Sequence, residues 1–375
     1  MSNLKTANRM KTIDVFTILK IFNLASQYKD IINLGLGEPD FDIPDKIKKA
    51  QIKAIQDGKN KYAHPQGIYE LREKVAEKLR KENEIDAKPE NVIITSGVSG
   101  ALFLAFNAFI EEGDEVIIPD PGFSFEYKNY ALFLGAKPVL VDIYPDFKIT
   151  AEKIEEKITS KTKMLILNSP SNPTGNVIEA EEIKKIAKLA EKYNLLVISD
   201  EIYEKFVYGC EHVSIGKYYS KTITMNGFSK TYAMTGNRIG YLHGLPEIVQ
   251  ELIKLQLLIY VCAPTSAQYA ALKAFDVDVS DKIKEYKKKR DLTYEILKKH
   301  FEITKPNGAF YIFVRAPKRF TGTEFCEKLI KEKQTLIIPG IAFSEKDTHF
   351  RISFATSEKN LRKGLKNIIS IVKKK

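Results

Sequence analysis

Residues 222 to 241 read TITMNGFSKTYAMTGNRIGY, a strand-like run that breaks at Asn226-Gly227 and then presents Ser229, Lys230 and Arg238. A primary amine held at the end of a strand can attack a carbonyl and can also remove a proton from carbon. The chain carries 59 lysines and arginines, so Lys230 by itself reads as one more solvated charge. Other segments must supply the partners that such chemistry needs.

Four segments do so. In NVIITSGVSGALF, a strand passes through Thr95 to Gly100 into a helix, and Val98 and Ser99 would sit at an N-terminus whose free N–H groups suit a phosphate. An ordinary strand-to-helix turn capped by Ser99 is an equally good reading of this segment alone. LLVISDEIY puts Asp200 at the end of an apolar run, with Tyr203 just beyond, where a carboxylate is either a helix cap or a ligand partner. LILNSPSNPTG ends a strand in a proline-punctuated loop, and Pro173 restricts the backbone of Asn172 to extended conformations. PDPGFSFEY offers Phe123, otherwise a core aromatic.

The elements that must position these groups are short β-rich runs alternating with helices over residues 46–275. The strands are 91–95, 114–119, 137–143, 163–168, 195–199 and 222–226, with helices over 101–113 and 180–194. This alternation predicts a mostly parallel α/β sheet between helices, with ligands at the carboxyl ends of its strands. After residue 276 come a charged helix (281–301), GAFYIFV (308–314), a helix over 323–333, TLIIPG (335–340), FRISFA (350–355) and a closing amphipathic helix. We therefore expect a large domain over 46–280 and a smaller α+β domain built from 1–45 and 281–375. In FRISFA, alternation turns Arg351 away from Phe350, Ile352 and Phe354. Its planar fork suits a carboxylate, although a surface strand arginine is the plainer reading.

The six groups Val98/Ser99, Phe123, Asn172, Asp200, Tyr203 and Lys230 all follow predicted strands and so fall on one sheet edge. A cofactor with a phosphate, a flat ring, a basic ring nitrogen and a carbonyl needs such a set, and pyridoxal 5'-phosphate is that cofactor.

Composition narrows the rest. The net charge of +11 is spread over Lys/Glu-rich helical faces such as EEIKKIAKLAEKY, and the basic runs lack interleaved aromatics, so no nucleic-acid partner is expected. Three scattered Cys fit a reducing cytoplasm, and five His without ligand spacing predict no metal site. No apolar run approaches the roughly 18 residues of a membrane span, and MSNLKTANRMK lacks a signal-peptide core, so no membrane association or export is expected.

The segments NLGLGEPDFDIP, KYAHPQGIYELR, TSGVSGALF, NSPSNPTG, SDEIYE, GFSKTYAMTGNRIGY, KPNGAFYIF and FRISFATSE, in that order along nearly the whole chain, resemble the class I/II aminotransferases, fold type I pyridoxal phosphate enzymes, and most closely their prokaryotic and archaeal aspartate aminotransferase branch. The resemblance implies that Lys230 forms the Schiff base and moves the proton between substrate and cofactor. It implies that Asp200 pairs with the ring nitrogen, Tyr203 and Asn172 with the ring oxygen, and that Phe123 stacks on the ring. Val98, Ser99, Arg238 and a partner subunit's Tyr62 would hold the phosphate. Arg351, Gly37 and Asn172 would hold the substrate carboxylate, with Phe123 also facing the substrate. The implied activity is amino transfer from an L-amino acid to a 2-oxo acid, best aspartate with 2-oxoglutarate, in a homodimer. Aromatic amino acid or alanine transfer, or β-lysis, are the alternatives. The chain departs from many relatives in having Asn237 in place of Trp, Gly227 in place of Ser and Ser344 in place of Gly.

Competing motifs are weaker. NGFSKT matches the tail of a P-loop, but Thr222 stands where its first glycine belongs; GLGEPD matches part of a dinucleotide fingerprint, but Asp40 stands at the third glycine. A transcription-regulator use of the same scaffold would need a DNA-binding domain that these segments leave no room for.

Overall fold

The computed structural model describes residues 5–13 and 16–373. Its strands, in chain order, are β1 (Ile32–Asn33), β2 (Val92–Thr95), β3 (Glu115–Asp120), β4 (Lys137–Asp142), β5 (Thr162–Asn168), β6 (Leu196–Asp200), β7 (Thr222–Gly227), β8 (Gly240–His243), β9 (Tyr311–Arg315), β10 (Thr335–Leu336), β11 (Ile338–Pro339) and β12 (His349–Ser353). A seven-stranded sheet has the order β2-β8-β7-β6-β5-β3-β4. Its neighbours pair in parallel except along β8, which runs antiparallel to both β2 and β7. The mostly parallel α/β sheet predicted from the alternation of strands and helices is therefore present.

Residue alternation explains why both faces of this sheet are buried. Ile117, Leu165, Leu167 and Val197 face one apolar cluster, while Val116, Ile118, Met164, Ile166, Leu196 and Ile198 face another. The first cluster continues into Phe310 to Val314, Phe350 and Leu361, so the antiparallel sheet β11-β12-β9 packs onto the same core. β1 pairs in parallel with β10, which ties the N-terminal segment to the C-terminal part of the chain.

Three readings of the sequence are corrected. The strand β8 was absent from the prediction, because GYLH is too short for periodicity to show and becomes a strand only by pairing on both sides. TLIIPG is not one strand: β10 and β11 flank buried Ile337 and belong to different sheets. The helix expected over 101–113 spans Gly97–Phe109, so Ser96 occupies the capping position and Ser99 lies inside the first turn. Among the described residues, no helix is long and apolar enough to cross a membrane.

Candidate active site

The carboxyl ends of β3, β5, β6 and β7 are parallel and therefore open on the same edge. There they enclose a cavity of about 190 Å³ lined by Val98, Ser99, Phe123, Asn172, Asp200, Tyr203, Lys230 and Arg238, all singled out from the sequence. Ser229, noted beside Lys230 in the sequence, also lines it, and Glu126, Asn168, Ile202 and Thr235 complete the lining and were not anticipated.

Lys230 donates from Nζ to the carbonyl oxygen of Gly37 at 2.7 Å. Burial, reinforced by the nearby cations Arg351 and Arg238 and opposed by Glu38, brings its ammonium down to about 8. An amine of this kind is neutral in about one molecule in ten at pH 7, far more often than an ordinary lysine, as a nucleophile or base requires. A Cβ on Gly37 would lie within 2.3 Å of the Tyr311 hydroxyl, so this close approach requires glycine.

Asp200 ends β6 inside the sheet. Its Oδ2 accepts a hydrogen bond from the Tyr127 hydroxyl at 2.7 Å, and its Oδ1 accepts one from the Ile202 N–H at 3.2 Å. Burial dominates and raises its carboxyl to about 6, so the side chain stands ready for a cationic or proton-bearing partner. Tyr127 was missed in the sequence. The available signal was its position one helical turn beyond Phe123, which places both rings on one side of the helix Ser124–Phe133 and its cap.

Arg351 is buried, contrary to the plain surface reading. It donates from Nη1 to Asn172 Oδ1 at 2.8 Å and from Nη2 to the Gly35 carbonyl oxygen at 2.5 Å, while Nε has no partner. The rings of Tyr311 and Phe343 lie 4.4 and 4.5 Å from its guanidinium carbon. Register explains the first contact: Arg351 is opposite Phe313 and Ser353 opposite Tyr311, so Arg351 and Tyr311 share a face. Tyr311 also meets Tyr203 hydroxyl to hydroxyl at 2.8 Å and thus links two predicted site residues. Its alternation with Ile312 in GAFYIFV carried this information, but only the strand pairing shows which face holds Arg351.

The Val98 and Ser99 N–H groups lie in the first turn of their helix, among those without an intrahelical acceptor. Arg238, itself in a left-handed conformation (φ 53°), brings its guanidinium so near that a Cβ on Gly97 would lie 2.6 Å from Nη2. A Cβ on Gly240 would strike the Gly97 backbone at 2.7 Å, and one on Gly227 would press on Gly240 Cα at 3.0 Å, so the cradle, β8 and β7 meet backbone to backbone with little room for a side chain at Gly227. Asn237 donates to Gln51 Oε1 at 2.6 Å, and Ser344 shares a 3.0 Å hydrogen bond with Tyr144. Tyr62 does not line the cavity; it is 83% exposed.

Directly beside this site, Glu201 points elsewhere. It accepts from Ser199 and Ser214 at 2.8 and 2.6 Å and pairs with His212 at 3.0 Å. Asn83 links it to Glu204, which forms an ion pair with Lys78. Glu201, Glu204 and His212 offer ligand atoms within 4.8 Å of one another, a grouping the sequence spacing did not suggest. These internal donors already occupy the carboxylates, so the trio forms a hydrogen-bonded network.

The donor set fits pyridoxal phosphate: a depressed amine, a buried carboxylate short of a cation, a helix N-terminus with an arginine, and an aromatic wall. The comparisons agree with that chemistry. The family model for aminotransferase class I and II matches residues 29–368. A probable aspartate aminotransferase of Methanocaldococcus jannaschii is 44% identical, covering 96% of this chain and 97% of its own. A (5-formylfuran-3-yl)methyl phosphate transaminase of the same organism is 41% identical over 98% of this chain and 100% of its own. The crystal structure of aspartate aminotransferase from Thermotoga maritima superposes with a TM-score of 0.91 at 36% identity, covering 98% of this chain and 99% of the other. The chain belongs to the class I and II aminotransferases, a pyridoxal-phosphate-dependent family.

Proposed function

We propose that this chain binds pyridoxal phosphate in the cavity at the carboxyl edge of the large sheet and moves an amino group from an L-amino acid to a 2-oxo acid. The carrying observation is that Lys230, Asp200, Asn172, Tyr203, Phe123 and Arg238, drawn from separate segments, line one cavity. When bound, the cofactor supplies an aldehyde that condenses with amines and a protonated ring that withdraws electrons.

The chain's own groups then have defined tasks. Lys230 would hold the cofactor through its aldehyde carbon, and its neutral amine would carry the proton to and from the substrate Cα. Asp200, kept in place by Tyr127, keeps the proton on the ring nitrogen. Asn172 and Tyr203 would hydrogen-bond the ring oxygen, and Phe123 would cover the ring. The Val98 and Ser99 N–H groups with Arg238 hold the phosphate, joined by the partner subunit's Tyr62. Arg351 offers its unpaired Nε, and the contacts it now makes with Asn172 and Gly35, to the substrate carboxylate, with Gly37 alongside.

Aspartate with 2-oxoglutarate is our substrate assignment, its aspartate half supported by the 44% identical probable aspartate aminotransferase. A transaminase acting on a furan phosphate at 41% identity shows how widely side-chain selection varies on this scaffold. A donor and acceptor panel on the purified holoenzyme tests the assignment. Aspartate should give the highest kcat/KM, with turnover absolutely dependent on an oxo acid. Preference for an aromatic amino acid or alanine would replace aspartate, and release of ammonia without an oxo acid would make the enzyme a β-lyase.

A homodimer is part of this reading, supported by exposed Tyr62 and by Leu257 and Leu258, 52% and 81% exposed. Sedimentation should give twice the chain mass, and a fully active monomer would overturn the role given to Tyr62. The domain division at 46–280 is supported by the β1–β10 pairing. A cytoplasmic location is supported by the free thiols of Cys210, Cys262 and Cys326.

A further inference from the structure

Glu126 is an acid where an anion is to be bound. It lines the same cavity as Val98, Ser99 and Arg238, with Ser99 in the first turn of the helix Gly97–Phe109, and the Ser99 hydroxyl and Arg238 both favour its ionised form. None of the roles above uses it. A phosphate group seated on that helix N-terminus would bring two or more negative charges against a fixed third, with Arg238 as the cradle's cation.

We propose that Glu126 is a working part of the phosphate site: it takes up one proton from solvent as a phosphate group enters and then faces that group as a neutral acid able to donate a hydrogen bond. The inference rests on the pyridoxal phosphate reading above. The surroundings of Glu126 are balanced for such a change. Burial pushes its carboxyl up, while the Ser99 hydroxyl and the positive charges of Arg238 and Lys230 pull it down. Asp200 from β6 and the hydroxyls of Tyr127 and Tyr130 from its own helix also face it, and each is itself shifted upward in part by the Glu126 charge. An entering phosphate engages Arg238 and the Ser99 segment, removing the partners that favour the ionised form and adding a repelling charge. Both changes favour the neutral acid.

The consequence is a cofactor affinity linked to pH through this one residue. Apoenzyme prepared from the wild type and from Glu126→Gln is titrated with pyridoxal phosphate, pyridoxal and inorganic phosphate between pH 6 and 9, following cofactor absorbance and competition. Ionisation of the ligands is common to both proteins and cancels in their ratio, and the change in Lys230 on losing the Glu126 charge is shared by pyridoxal phosphate and pyridoxal, so it is removed by comparing those two ligands. The wild-type Kd for pyridoxal phosphate and for inorganic phosphate should weaken relative to the variant by up to about tenfold per pH unit once Glu126 is ionised in the free site. The variant should therefore bind more tightly at pH 8.5, and the ratio should change more steeply with pH for pyridoxal phosphate and inorganic phosphate than for pyridoxal, which lacks the phosphate. Parallel profiles for the two proteins, or weaker phosphate binding by the variant throughout, would overturn the proposal while leaving the cofactor reading intact. Failure of the wild type to bind pyridoxal phosphate at all would overturn both.

Discussion

Asp200 and Glu201 are neighbours at the end of one strand, yet they belong to buried charge clusters of opposite character. On the Asp200 side the charges lack compensation: the carboxyl is raised to about 6, Lys230 is lowered to about 8, and Arg351 Nε has no acceptor. On the Glu201 side the charges answer one another. Burial works against the Glu204 carboxylate, but Lys78, His212 and Asn83 hold it down to about 2. Burial likewise works against charged His212, but Glu201 and Glu204 keep it above its ordinary value. The difference teaches how the two can be told apart. The Glu201 cluster balances its charges internally even though His212 Nδ1 lacks a hydrogen-bond partner, whereas the Asp200 cluster leaves charge for a ligand to complete.

The sharpest way to break this comparison is Lys230→Ala. If the uncompensated cluster is the catalytic one, turnover should fall below detection, by more than about 10⁵-fold, since nucleophile and base are lost together. The urea midpoint should stay or rise, because a buried amine is removed. Retained activity would end the assignment. Asp200→Ala should come next, lowering kcat by about 10³-fold with the fold intact, read from steady-state kinetics beside a circular dichroism spectrum.

On the other side of the strand the effects should exchange places. Glu204→Gln leaves buried Lys78 only the more distant and more exposed Glu82, at 3.8 Å, as counter-charge and should cost about 3 kcal/mol of stability in urea denaturation, while kcat of the folded protein changes little. A large loss of kcat with unchanged stability would mean that the two clusters work as one. The smallest effect should be in pH dependence. Glu204, depressed in the fold, stabilises above its unfolded value near 4.5, and this contribution is lost as pH falls through about 2. His212, raised in the fold, stabilises fully below its unfolded value near 6.5, and this is lost as pH rises through its folded value. The contribution of this network to the thermal midpoint should therefore be largest between about pH 4.5 and 6.5, read as the difference between wild type and variant because Asp200, raised to about 6, adds a separate loss as pH rises toward 6. His212→Gln should flatten the network's alkaline limb alone. An unaltered alkaline limb in that variant would remove His212 from the network's charge balance.

Much of the large sheet was legible in the chain. Residues buried on both faces form continuous apolar runs, so β3, β5, β6 and β7 announce themselves, and parallel pairing then places whatever follows them on one edge. That reasoning reached Lys230, Asp200, Asn172, Phe123, Val98 and Ser99 without knowing which strands were adjacent. It did not reach β8, whose four residues carry no readable period, or Tyr127 and Tyr311, which read as core aromatics because ring hydroxyls leave no trace in hydrophobic patterning. Arg351 shows the boundary between the two. Its turn away from Phe350 and Ile352 follows from alternation alone, but whether that face meets solvent or a cavity depends on what packs there.

What the sequence determined by itself was the inventory and its periodicity: which groups could react, and which strand ends would present them. Tertiary structure alone decided how each group is charged. A carboxylate, an amine or an imidazole acquires its proton affinity from burial and from partners distant in the chain. Thus the Tyr127 hydroxyl beside Asp200, the Lys78 ammonium beside Glu204 and the Ser99 hydroxyl beside Glu126 set three acids of nearly identical intrinsic chemistry to different tasks.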